Sequence, residues 1–386
     1  MDVRQRKYEN IILFLSLLNC LKIFLYGNKV AEATIIIITV VSLLYLYLTS
    51  RIVGNMRTVL LLSCVAVSLF ITAFVNGGWG SVLNYIILML SSILFCSYGV
   101  SAKKMKTIFT FNGVVLLFFL FSLSVKKSYS SFVFYTIMGK KINPNMIGMI
   151  ALMTFFFLLN RICDIRSRIL KLISILVVGG VCGLYTYISE CRSVLLCLLV
   201  FLFLCFFKRR TFKQSTFRKM ICASQIASLV FVAFYLYLYR QSFSPVEIDL
   251  FGKSFFSGRQ IVWQSAFDVF LQHPVIGSGA SVELESVKNT LTVSAHNTIM
   301  SILYIFGIVP TICYLLFLGK KYDNVTVYKP YRMNQFVVVS TLIITFLESF
   351  YMESYLCFLF TLFFIPEFVI KESIAVRHVG KNIYDT

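Results

Sequence analysis

Acidic side chains are scarce in this 386-residue chain: 16 Asp and Glu stand against 36 Lys and Arg, a formal net charge of +20. Charged residues of both signs make up only 13%, while 59% are hydrophobic, which excludes a soluble domain of ordinary composition. Histidine (three) and tryptophan (two) are rare as well. No Cys-x-x-Cys pair and no His/Cys cluster at zinc-ligand spacing occurs, so no metal and no cofactor is expected. No Asp-x-Asp pair is present to hold a divalent cation. The 11 cysteines fall mainly in or beside apolar runs, and none lies between 240 and 295, so no disulfide framework is expected there.

What the chain has instead is apolar runs of about 17 to 25 residues from end to end, the length a transmembrane helix requires. The spacing predicts an all-α polytopic membrane protein of about twelve spans, at roughly 9–26, 31–49, 57–75, 81–98, 107–125, 144–160, 169–188, 193–207, 220–239, 296–318, 334–350 and 354–370. Most basic residues then fall in short segments on one side, the positive-inside signal, which places both termini in the cytoplasm and removes the reason to read the charge as nucleic-acid binding. No repeat or low-complexity linker divides the chain, so 1–386 reads as a single integral membrane domain. The external segment 240–295 is the only one long enough to hold its own secondary structure. Within it, Ser257 and Gln260 have capping-box spacing before a mostly apolar helical face at Ile261, Val262, Ser265, Ala266, Val269 and Phe270. Pro274 ends that helix, and Gly277 and Gly279 allow a turn.

The candidate site residues lie on the external side. Arg192 follows Glu190 at a short turn between spans, where a charge at membrane depth pairs with Glu190, reaches lipid phosphate, or faces a cavity. Arg259 opens the loop helix. Alone it would be a solvated arginine, but two guanidinium groups could clamp a diphosphate. His296 falls in the first turn of the tenth span, where the positive helix end favours a neutral imidazole able to accept a proton. His273 and His378 read as structural or solvated. Asn297 could orient His296 or substrate hydroxyls, and Arg240, Lys140 and Lys141 are further external cations. Trp263 could stack on a sugar ring or anchor in lipid. Glu348 and Glu353 are the alternatives to His296 as a base.

Three stretches in this order resemble the O-antigen ligase and Wzy-type polymerase family of bacterial envelope proteins: the turn ECRS (Glu190–Ser193), the loop SGRQIVWQSAFDVFLQHPVIGSG (Ser257–Gly279), and AHNTIMSILYIFGIVP (Ala295–Pro310). The resemblance implies a glycosyltransferase in the cytoplasmic (inner) membrane, working on its outer face with undecaprenyl-diphosphate-linked oligosaccharides as donor and acceptor. No nucleotide sugar or metal is implied, and membrane lipid and a chain-length regulator protein are the implied partners. It also implies that Arg192 and Arg259 bind the diphosphate while His296 activates the acceptor hydroxyl. A polymerase of O-antigen, capsule or exopolysaccharide is the first reading. A ligase to lipid A core is the second, and a lipid-linked glycan flippase is the third.

Overall fold

The structure, a computed structural model, describes residues 3–49, 56–76, 79–97, 99–128, 131–207, 212–240, 249–250, 253–254, 258–279, 282–285, 291–292, 295–319, 331–348, 353–365 and 367–368. It is mostly helical. In chain order the helices are α1 (Val3–Phe24), α2 (Lys29–Thr49), α3 (Met56–Asn76), α4 (Trp79–Ser97), α5 (Ala102–Ser122), α6 (Pro144–Ile162), α7 (Arg168–Ile188), α8 (Arg192–Phe207), α9 (Gln214–Arg240), α10 (Arg259–Gln272), α11 (Thr298–Phe306), α12 (Ile308–Gly319), α13 (Tyr331–Leu347) and α14 (Ser354–Thr361). Helices dominate because lipid offers no partner for a backbone amide, so each apolar run must satisfy its own. Six of them, α2, α4, α5, α6, α7 and α9, are long and apolar enough to cross a membrane. α8, with 16 residues, reaches about 24 Å, short of a bilayer core of about 30 Å.

Short strands accompany the helices. β1 (Val100–Ser101) pairs in parallel with β9 (Glu367–Phe368), and the pairs β5 (Asp249–Leu250) with β6 (Lys253–Ser254) and β7 (Leu284–Glu285) with β8 (Leu291–Thr292) are antiparallel. A larger antiparallel sheet joins β2 (Ser124–Ser128), β3 (Ser131–Tyr135) and β4 (Lys141–Ile142). The segment 240–295 is therefore not alone in holding structure outside the long helices. This sheet was not expected, because its strands are too short to show a clear alternation.

The expected loop helix is present, but its start differs. α10 begins at Arg259 after Gly258, whose φ of 80° is left-handed, and no side chain caps it. Ser257 lies outside the described residues, as do Ser294 and His378. Of the expected apolar face, Val262 and Ala266 are buried, together with Trp263.

The expected tenth span is two helices. α11 and α12 meet at Gly307, whose φ of 83° and ψ of −176° interrupt the helix. The carbonyls freed there are not left to lipid. Ser278 donates its amide to Tyr304 O (2.9 Å) and its hydroxyl to the same atom (2.8 Å), and Gly279 N donates to Ile305 O (3.0 Å). In return Ile308 N donates to Pro274 O (2.9 Å). The turn after α10 thus docks into the broken span, and α3 holds it from the far side: Thr72 Oγ1 donates to Ile276 O, and Asn76 Nδ2 donates to Gly277 O (3.1 Å). Gly277 has φ of 71°, and a Cβ there would run into the Ile305 carbonyl. Gly277→Ala should therefore lower stability by about 3 kcal/mol, combining backbone strain with overpacking. Gly139→Ala, at the same φ but facing open space, should cost about 1 kcal/mol. Thermal unfolding of the two detergent-solubilised variants measures the difference.

Candidate functional site

At one end of the bundle a cavity of about 390 Å³ lies among the ends of six helices. α6, α8, α10 and α11 start at or beside it, through Asn143, Arg192, Arg259 and His296, and α7 and α13 finish there at Ile188 and Leu347. Helix starts carry partial positive charge and helix ends partial negative charge, so four starts against two ends tilt the backbone's contribution towards positive. Local sequence sets these ends. Asn143 caps α6, its side chain accepting from Asn145 N (2.9 Å), with Pro144 in the first turn. The turn from Ser189 to Cys191 places Arg192 on the cavity wall. Glu190 adopts φ of 51° there, and Gly148 of α6 leaves room for the Cys191 and Ser189 side chains, which a Cβ would meet at 2.5 and 3.0 Å. Burial pushes the Cys191 thiol up to about 11, so it is a neutral packing group rather than a nucleophile.

Arg192, Arg259 and His296 all line this cavity, as does Lys141. Their organiser is Glu348. Its Oε1 accepts from Arg259 Nη2 (2.9 Å) and Asn145 Nδ2 (3.0 Å), and its Oε2 lies 3.3 Å from His296 Nδ1. The Glu348 side chain is 6% exposed, Arg259 14% and His296 30%. Glu348 had entered as an alternative base. Its geometry instead makes it the acceptor that fixes the other two. Both carboxylate oxygens are engaged, and the contact with His296 is made through Nδ1 rather than Nε2. Sequence order gave no hint of the pairing, since Glu348 is 89 residues from Arg259.

Several expected roles do not match the positions found. His296 is not in a helical turn: it precedes Asn297, the N-cap of α11, and has φ of 48°. Asn297 is buried and engaged, accepting from Met300 N (3.0 Å) and donating to Ser228 Oγ (2.8 Å) and Phe346 O (3.0 Å). It serves the fold rather than a substrate hydroxyl. Trp263 is fully buried, donates Nε1 to Ala295 O (2.9 Å) and packs edge-on against Phe231 and Tyr235. It offers no face to a sugar or to lipid, and instead ties α10 to the residue beside His296. Lys140 lies over Gly27 rather than in the cavity. Arg240 ends α9, and its side chain lies outside the described residues. Glu353 stands apart from the cavity at the start of α14, where burial raises its pKa to about 7 against the opposing effect of Lys22. Among the described residues no group of His, Cys, Asp and Glu is arranged to hold a metal ion.

A bundle of apolar helices with a cavity lined by Lys141, Arg192, Arg259 and His296 and braced by Glu348 defines a helical membrane protein with a charged pocket at one end. Residues 181–315 match the family model described as O-antigen ligase. The matched stretch runs from the last turns of α7 into α12, about a third of the chain, and contains all three motifs on which the resemblance to that family rests. Arg192, Arg259 and His296 fall inside the matched stretch, while Lys141, Asn145 and Glu348 fall outside it. Searches of curated proteins and of solved structures find no match.

Replacing Glu348 tests its bracing role. Glu348→Ala leaves Arg259 a partly buried cation without its partner and should destabilise the protein by about 3 kcal/mol, read as a lowered Tm. Glu348→Gln, which keeps the shape and one carbonyl acceptor, should lose less.

Proposed function

We propose that the protein is a polysaccharide polymerase that joins undecaprenyl-diphosphate-linked oligosaccharide units on the outer face of the cytoplasmic membrane. The observation that carries this reading is the convergence of Arg192, Arg259 and His296 on one cavity ringed by helix starts. In this reading the two guanidinium groups and the nearby helix starts bind the donor diphosphate and take up charge as it leaves. The acceptor hydroxyl attacks the anomeric carbon, forming the new C–O bond as the bond to the diphosphate oxygen breaks, with inversion. His296 Nε2 takes the hydroxyl proton, while Glu348 engages Nδ1 and orients the ring. A twelve-span topology with both termini in the cytoplasm and the cavity outside completes the proposal, and the weight of basic residues in alternate segments supports it.

Transfer to a lipid A core is the second reading, favoured by the description of the matching family as O-antigen ligase. Transport is a weaker reading. The interrupted span α11–α12 has the look of a transporter helix, yet its open carbonyls at Tyr304 and Ile305 are taken by the loop turn rather than offered to a cargo.

Purified protein incubated with undecaprenyl-diphosphate-linked repeat units, with and without lipid A core, separates the three. A product ladder supports polymerisation, core-linked product supports ligation, and an absence of covalent product counts against both. His296→Ala should cut turnover about a hundredfold or more while leaving donor binding nearly intact. Arg192→Lys and Arg259→Lys should weaken both binding and turnover, because a point charge loses the fork that grips two phosphate oxygens. Wild-type turnover in His296→Ala would remove His296 as the base.

A further inference from the structure

The sheet β2–β3–β4 carries Lys126, Lys127 and Lys141, and no Asp or Glu occurs between 124 and 142. Its register sorts these cations. Paired residues of an antiparallel sheet project to the same face, and successive residues of a strand to opposite faces. The pairs Ser124–Tyr135, Tyr135–Lys141 and Lys126–Val133 therefore share one face, while Val125–Phe134, Phe134–Ile142 and Lys127–Phe132 share the other. The second face is packed at Phe134 and Ile142, which are buried, and exposed at its far end, at Val125 and Lys127. The first is open, with Lys126 and Lys141 exposed and Tyr135 half-buried. Lys126 Nζ stands over one face of the Tyr135 ring, 5.5 Å from its centre, and Tyr135 is cross-strand neighbour to Lys141. The cavity is lined from both faces of the sheet, by Lys141 and Val133 on the first and by Phe132 and Ile142 on the second.

A strip of Lys141, Tyr135 and Lys126 thus leads out of the cavity across all three strands, with a ring between two cations. A tyrosine face receives the apolar side of a sugar ring, and flanking ammonium groups receive carboxylates. We propose that the open face of this sheet is a binding site for an acidic glycan, a saccharide carrying uronic-acid-type carboxylates that continues outward from the cavity. The inference rests on reading the cavity as the place of glycosyl transfer. Continuity with the cavity favours a glycan over an anionic membrane surface, because a saccharide chain joined at the cavity must leave it along this wall, whereas bulk lipid headgroups stay in the plane of the membrane.

The test uses the full-length protein in nanodiscs of zwitterionic lipid, with tetragalacturonic acid as the glycan probe, its methyl ester as the uncharged control, and farnesyl diphosphate as the probe of the cavity. Tetragalacturonic acid should bind at least about tenfold more tightly than the ester. Lys126→Ala should weaken it by about threefold and Lys126→Ala/Tyr135→Ala by about tenfold, both with unchanged farnesyl diphosphate binding. Lys127→Ala removes the same charge from the opposite face, where Lys127 is also exposed, and should change neither. Equal binding of acid and ester, or equal weakening by Lys127→Ala and Lys126→Ala, overturns the site. So does a Lys126→Ala defect confined to association with phosphatidylglycerol vesicles, which makes the strip a membrane contact. If wild type binds the acidic glycan with this pattern but not farnesyl diphosphate, the sheet site stands and the donor reading of the cavity falls.

Discussion

Glu348 is the interaction on which the site's geometry depends. A nearly buried carboxylate is tolerable only when charged or hydrogen-bonding partners surround it, and here they come from three other elements: Asn145 from α6, Arg259 from α10 and His296 from the entry to α11. Its own backbone is fixed too. Its carbonyl accepts from Thr298 Oγ1 (2.8 Å), and its amide donates to Ile344 O (2.7 Å) at the end of α13. The desolvation cost of one acid therefore acts as a constraint on four helix ends. Any drift of α10 away from α13 would leave two opposite charges partly desolvated and unpaired.

The same constraint explains why a long segment connecting α9 and α11 can position a side chain accurately. α10 is fastened at both ends. Near its start Arg259 meets Glu348 and Trp263 bonds the carbonyl of Ala295, and after its end the turn at 274–279 is bonded into the α11–α12 break. α10 and α11 consequently run as a braced pair with their starts at the cavity, and the side chains at those starts inherit the rigidity of buried backbone. Loops seldom offer this, because their peptide groups usually bond water.

The parts of this arrangement visible in sequence were those written in short motifs. ECRS, SGR and AHN brought Arg192, Arg259 and His296 to notice, and hydropathy alone identified a helical membrane protein. What escaped was carried by partners far apart in the chain. Trp263 and Asn297 have residue types that suit substrate contact, and only Ala295, Ser228 and Phe346 show that their polar atoms are occupied. Glu348 drew notice only as a possible base, because Asn145, Arg259 and His296, which it joins, lie far from it in the chain. The break at Gly307 is masked because apolar residues on both sides average into one continuous span, and a single glycine does not interrupt that average. Lys140 and Lys141 are adjacent and alike, yet successive residues at the start of β4 project in opposite directions, so no composition argument could have told them apart.

The docking of residues 274–279 into the split helix also sets where this external segment can change in length. Peptide groups of Ser278 and Gly279 supply donors that the α11–α12 junction lacks, so removing them would leave carbonyls of Tyr304 and Ile305 facing apolar surroundings, each unmet bond costing about 1–3 kcal/mol. At Gly277–Gly279 the loop is buried, although Pro274 and Val275 before it are exposed. Insertions and deletions are tolerable only where the chain is not so engaged, and the Gly277–Gly279 stretch is as intolerant of them as any buried helix.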